Sequence, residues 1–177
     1  AMLGAAEKGM LILIDGFMDN VRVPSEFDLS VIDNLPYDPE EMAKIYGLDS
    51  LGMSRREYFT ALNLSPTLTI NGITCGYQGN GSKTVNPSRA SVKMDARLVV
   101  DQNPEDIMQK IENHVLKHAP GARIKWHGFM SPSKSDGDLD VCRQVVDSLK
   151  KVYEEGVILS LGSGGSLPNY VWTEILG

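Results

Sequence analysis

From Ala90 to Val100 an apolar side chain falls on every second residue: Ala90, Val92, Met94, Ala96, Leu98 and Val100 alternate with Ser91, Lys93, Asp95, Arg97 and Val99. This is the period of a half-buried strand, and it requires a sheet with one covered face and one wet face. Arg97 falls on the wet face. A guanidinium presented by a rigid strand offers a planar fork suited to a carboxylate, which a flexible lysine supplies less well. Alternation alone leaves two readings open for Arg97, a built anion site or a surface arginine paired with a neighbour.

The segment before it has the same period. Leu68 and Ile70 alternate with Thr67, Thr69 and Asn71, and beyond Gly72 the phase slips so that Ile73 and Cys75 take the apolar role. Asn71-Gly72 is either a hairpin turn or a bulge in one long strand. Residues 76–86 are rich in Gly, Asn and Ser, which makes them a loop between two strands. After Arg97, Asn103-Pro104-Glu105-Asp106 opens a helix on which Ile107, Met108, Ile111, Val115 and Leu116 share a face, closed by Pro120-Gly121. Ile124 and Trp126 then alternate with Arg123, Lys125 and His127, predicting a further strand.

Strand, strand, helix, strand is the latter part of a ferredoxin-like fold, an antiparallel sheet with helices on one face, here with its leading strand and helix missing or displaced. The fold class is therefore α+β. Upstream, Met10 to Ile14 is a short apolar run that reads as a strand or the stub of one, and residues 21–36 read as an irregular excursion. Asp38-Pro39-Glu40-Glu41 starts a helix ending at Gly47, because the aspartate can cap, proline suits the first turn and the acids suit the dipole. Residues 54–63 form another short helix. Residues 131–137 have the composition of a hinge, followed by an amphipathic helix through Leu139, Cys142, Val145, Val146, Leu149, Val152 and Tyr153. Val157 to Leu161 reads as a buried parallel strand, with a helix from Pro168.

Five stretches together resemble the lid, or dimerisation, domain of the zinc metallopeptidase family that includes carnosinase-like dipeptidases, aminoacylase, acetylornithine deacetylase and glutamate carboxypeptidase. They are Pro66-Thr-Leu-Thr-Ile-Asn-Gly-Ile73, Gly79-Asn-Gly-Ser-Lys-Thr-Val-Asn-Pro87, Asp95-Ala-Arg-Leu-Val-Val, Asn103-Pro-Glu and Gly164-Gly-Ser-Leu-Pro168, in the family's order and at similar spacing. The carnosinase-like branch is the nearest. Asn86 departs from the pattern, which usually has isoleucine before that proline. The resemblance implies three parts: residues 1–64, the remainder of the lid with an irregular insertion; residues 65–131, the lid core; and residues 132–177, an α/β fragment of the catalytic domain.

The family's His-x-Asp motif, Glu-Glu pair and late histidine are not found in this sequence. The resemblance thus implies a piece of an enzyme that begins after the first metal ligands and stops before the last. Two zinc ions would serve the parent protein and none this chain, which by itself would be inactive, with no catalytic residue of its own. In the parent the metals would lower the pKa of water and polarise the carbonyl of a short peptide or N-acyl amino acid. The resemblance also implies a homodimer formed through the lid.

By that same resemblance, Arg97 matches the family's lid arginine and would bind the substrate carboxylate. Thr84 stands where the family places a polar lid residue near the scissile carbonyl; on its own it reads as a loop hydroxyl capping a turn. Gly164, Gly165 and Ser166 match the segment lying against the substrate near its free carboxylate. Read from residues alone, this glycine-rich stretch is a tight turn or an anion cradle, without the Lys-Ser/Thr ending of a nucleotide-binding loop. His114 and His118 lie one helical turn apart but lack an evident third ligand, so they read as histidines near a helix C-terminus.

A net charge of −6 argues against nucleic acid, whose binders carry a basic surface. No apolar run is long enough to span a bilayer. Two distant cysteines, Cys75 and Cys142, point to reduced thiols in a cytoplasmic protein. Two rival readings remain open, a non-enzymatic ferredoxin-like dimerisation module and an anion-binding regulatory domain using Arg97 and the glycine-rich turn.

Overall fold

The structure, a computed structural model, describes residues 12–153, 156–162, 165 and 167–176. Its sheet is an antiparallel pair, β1 (Thr67–Cys75) and β2 (Ala90–Arg97). Leu68 faces Ala96 and Ile70 faces Met94; the register then slips so that Gly72 faces Lys93 and Ile73 faces Val92. Asn71 is the extra residue, so the phase change marks a bulge within one strand and not a turn. Its side chain donates to Asp95 Oδ1. The slip keeps Ile73 and Cys75 on the same face as Leu68 and Ile70.

One end of that apolar face is covered by α4 (Pro104–His118). Asn103 caps the helix by accepting from the amides of Glu105 and Asp106, with Pro104 in the first turn. Ile107 and Ile111 point from it onto Leu68, Ala96 and Leu98, and Ile14 and Phe17 close the core from the side. Gln102 stitches this core together: its amide donates to the Phe17 carbonyl and its oxygen accepts from the Val99 amide. The α+β reading, an antiparallel sheet with helix packed on one face, therefore describes this chain. Met10 and Leu11 of the predicted apolar run lie outside the described residues, while Ile12 packs against the core and Ile14 lies within it.

Of the helices α1 (Glu26–Asp33), α2 (Pro39–Tyr46) and α3 (Arg55–Asn63), the last two enclose a second core, and α1 lies beside α3. Ala43, Leu51 and Tyr58 are buried against Tyr37, Met42, Met53 and Phe59. Tyr37 donates to the Met53 carbonyl, and the Tyr46 and Tyr58 hydroxyls share a hydrogen bond at 2.9 Å. Burial, with that hydrogen bond, pushes the Tyr58 pKa up to about 12. The helix from Asp38 ends as expected, with Gly47 in the left-handed region at φ 67°.

Three sequence expectations need correction. Residues 21–36 are not irregular throughout, because α1 lies within them: the Ser25 hydroxyl accepts from the Asp28 amide and the Asp28 carboxylate accepts from the Ser25 amide, a capping box that nucleates the helix. Val31 and Ile32 on that helix are buried. Residues 123–127 form no ladder; Trp126 instead donates to Glu112 Oε1 on α4 at 2.6 Å. Residues 157–161 likewise form no strand. Each has strand-like composition but lacks a neighbouring strand among the described residues, and pairing requires one.

The amphipathic helix after the hinge is α5 (Asp140–Tyr153). Beyond it, the helix expected from Pro168 is a short π-helical turn, Val171–Ile175.

Candidate functional site

Arg97 closes β2 opposite Thr67, at the base of the hairpin, with its side chain on the exposed polar face. The neighbours on that face are Thr67, Thr69, Asn71, Lys93 and Asp95, so the arginine stands on a polar platform, as the alternation requires. Thr84 lies at the other end. Pairing stops at Cys75 and Ala90, and the loop beyond folds so that Lys83 and residues 85–89 line a shallow groove with residues 74–77. Thr84 is exposed between Lys83 and Val85.

Seven residues of extended strand separate Ala90 from Arg97, about 23 Å at strand rise. One hairpin thus carries the arginine and the threonine at opposite ends and does not bring them together. Alternation specified the face of Arg97 correctly; distance along the strand was equally legible and decides the geometry.

Gly165 is exposed, with open space where a side chain would project. Gly164 and Ser166 lie outside the described residues. His114 and His118 pack ring to ring, centroids 4.6 Å apart, and among the described residues no three His, Cys, Asp or Glu side chains gather as a metal site. Cys75 and Cys142 are free thiols. No described helix is long and apolar enough to cross a membrane.

Two side chains that sequence reasoning passed over make notable contacts elsewhere in the molecule. Tyr77 lies over the loop that carries Thr84, and its phenol donates to the Asn80 carbonyl at 3.1 Å. An aromatic residue inside a Gly/Asn/Ser-rich stretch is the signal that could have marked it. The other is Lys134, within the segment read as a hinge, which reaches Asp28 on α1.

Among the described residues, the fold is a two-stranded hairpin backed by one helix, with an arginine on its open face. A family model described as a peptidase dimerisation domain, that of the M20 peptidases, matches residues 29–123. The chain belongs to that family, in agreement with the resemblance carried by its motifs. Its fold superposes on an M20 family metallo-carboxypeptidase, Sso-CP2 from Sulfolobus solfataricus, with a TM-score of 0.83 and 32% identity, covering 97% of this chain and 46% of that one.

Among sequence relatives, the Cys-Gly metallodipeptidase dug1 of Schizosaccharomyces pombe is 30% identical over 107 residues, 60% of this chain and 22% of the relative. The Beta-Ala-His dipeptidase of Rattus norvegicus is 29% identical over 117 residues, 65% of this chain and 24% of the relative. The chain therefore spans less than a quarter of the length of these two dipeptidases.

Proposed function

We propose that this chain is the lid and dimerisation part, with a fragment of the catalytic domain, of a zinc-dependent dipeptidase or related hydrolase of N-acyl amino acids. In this reading residues 65–131 form the lid core, residues 1–64 its remainder and insertion, and residues 132–177 the returning catalytic fragment. Arg97 binds the substrate carboxylate, Thr84 reaches the scissile carbonyl, and Gly164, Gly165 and Ser166 lie near the free carboxylate. The described residues offer no cluster to hold a metal. The two ions of this reading belong to other parts of the whole enzyme, and this chain alone is inactive. The free thiols fit a cytoplasmic setting.

What supports the reading furthest is that the loop carrying Thr84 joins β2 at Ala90, the end of the strand away from Arg97. A dipeptide is far shorter than about 23 Å, so a single hairpin cannot grip it with both ends. In a twofold dimer each surface patch recurs on the partner, and a site can take Arg97 from one copy and Thr84 from the other. Membership of a dimerisation-domain family supports such a pairing.

Subunit complementation tests it. When Arg97→Ala and Thr84→Ala versions of the whole enzyme are mixed, half the dimers are hybrids, each with one intact and one doubly defective site, and about a quarter of wild-type activity returns. If both residues serve a site within one chain, every site in the hybrid is damaged and activity stays at the level of the single variants.

A further inference from the structure

The strand ladder ends at Cys75 and Ala90, so side-chain packing must order the loop between them. Tyr77 supplies much of it. Its ring folds back over Gly79 so closely that a Cβ built there would come within 2.6 Å of Tyr77 Cζ. The phenol then donates to the Asn80 carbonyl at 3.1 Å. Lys83 Nζ lies 6.0 Å from the centroid of the same ring, at the outer limit of a cation–π contact. One aromatic side chain therefore touches the ascending part of the loop at Gly79 and Asn80 and the residue just before Thr84.

This ring does not belong to either hydrophobic core, and it is half exposed. Filling a core is therefore not its role. A Cβ at position 79 would meet the tip of this ring, so a larger residue there forces the ring out of its present place. The ring thus gathers contacts from both sides of the loop, to Gly79 and Asn80 on one side and to the Lys83 side chain on the other.

We infer that Tyr77 is a positioning residue, which holds the loop through Gly79, Asn80 and Lys83 so that Thr84 is presented in one place. The inference rests on the reading of Thr84 as a substrate contact, and it assigns to Tyr77 no contact with substrate. A preorganised hydroxyl favours the transition state only while its carrier is held still, so loosening the loop lowers kcat more than it raises KM.

The test has a dynamic arm and a kinetic arm. On the 177-residue chain, backbone order parameters across residues 79–85 are measured by nitrogen-15 relaxation for the native protein and for Tyr77→Phe, Tyr77→Ala and Gly79→Ala. Tyr77→Phe keeps the ring and is expected to stay near native, whereas Tyr77→Ala and Gly79→Ala are expected to fall below about 0.6. In the whole enzyme the last two are expected to lose about tenfold in kcat with KM within about twofold, and Tyr77→Phe to recover most of the loss.

Native order parameters in Tyr77→Ala would overturn the inference outright. So would a native kcat in Tyr77→Ala alongside a damaged Thr84→Ala, because the threonine would then matter without its supposed support. A silent Thr84→Ala instead overturns the functional reading of that threonine, and with it the catalytic purpose assigned to Tyr77; the order parameters still decide whether the ring fixes the loop.

Discussion

Lys134 Nζ lies 2.6 Å from Asp28 Oδ1, joining the segment before α5 to α1 across 106 residues of sequence. Asp28 is buried, and its other oxygen accepts from the Ser25 amide and hydroxyl. Gly137 packs against the Phe27 ring a few residues further on, and the Ser133 hydroxyl shares a hydrogen bond with Thr173. The hinge-like composition of residues 131–137 thus encodes an irregular segment that is pinned at several points.

Replacing Lys134 by methionine leaves a buried carboxylate without its cation, and the expected loss is about 3 kcal/mol of folding stability. Urea unfolding of Lys134→Met near neutral pH measures it. A midpoint equal to the native one would show that the pair contributes nothing.

The same pair sets a pH dependence. Burial pushes the Asp28 carboxyl up, but the Lys134 hydrogen bond and those from Ser25 outweigh it and hold the pKa below its ordinary value near 3.8. A depressed folded-state pKa gives stability that is complete above the unfolded value and is lost as pH falls through the folded one. The gap in unfolding midpoint between native protein and Lys134→Met should therefore be constant from about pH 7 to about pH 5 and narrow below about pH 4. A gap that grows on acidification would contradict the assigned sign.

Phe17 is fully buried between Ile14 and Ile107, under the base of the hairpin. Phe17→Ala removes a large side chain from a packed site and is expected to cost about 3–5 kcal/mol. Ile45, two-thirds exposed on α2, serves as the control, with Ile45→Ala expected within about 0.5 kcal/mol of native. Thermal or urea unfolding of the two variants decides it, and equal effects would mean that the core is misplaced.

Local signals made much of this architecture legible. The alternation in β2, the proline and cap residues opening α2 and α4, and the apolar face of α4 all report on neighbours a few residues away. Helix α1 was hidden because its capping box uses Asp28 where Glu or Gln is the usual partner, and because Pro24 and Pro36 frame it like a loop. Residues 123–127 and 157–161 misled for a different reason: a strand is a property of a pair, and alternation cannot say whether a partner edge is within reach. For the candidate site, alternation set the face of Arg97, whereas Thr84 was singled out only by the family resemblance, and the length of β2 shows that the loop carrying Thr84 leaves the sheet at the end away from Arg97.

The outer half of the sheet's apolar face carries Ile70, Ile73, Val92 and Met94, all 45–63% exposed, beyond the reach of α4. An antiparallel pair with such a face, and with no further strand paired to either edge among the described residues, is prone to associate. Placing a charge at its centre, as in Ile73→Lys with Val92 facing it, should weaken self-association of the chain by about tenfold or more without unfolding it, since both side chains already meet solvent. Sedimentation velocity over a concentration series checks this. Native protein that remains monomeric throughout would remove the face from any interface.

Arg97 gives the sharpest prediction for the whole enzyme. If the guanidinium grips the substrate's free carboxylate, Arg97→Ala strands that anion and lowers kcat/KM by an amount on the order of 2–5 kcal/mol. Arg97→Lys retains charge but not the fork, and should recover only part of the loss. The carboxylate is bound before and during the reaction, so most of the effect should appear in KM. A peptide whose C-terminus is an amide supplies the decisive comparison. It cannot use the fork, so native enzyme and Arg97→Ala should cleave it with similar efficiency. If Arg97→Ala impairs the amide and the acid to the same degree, the arginine supports the fold or the interface and does not read the carboxylate.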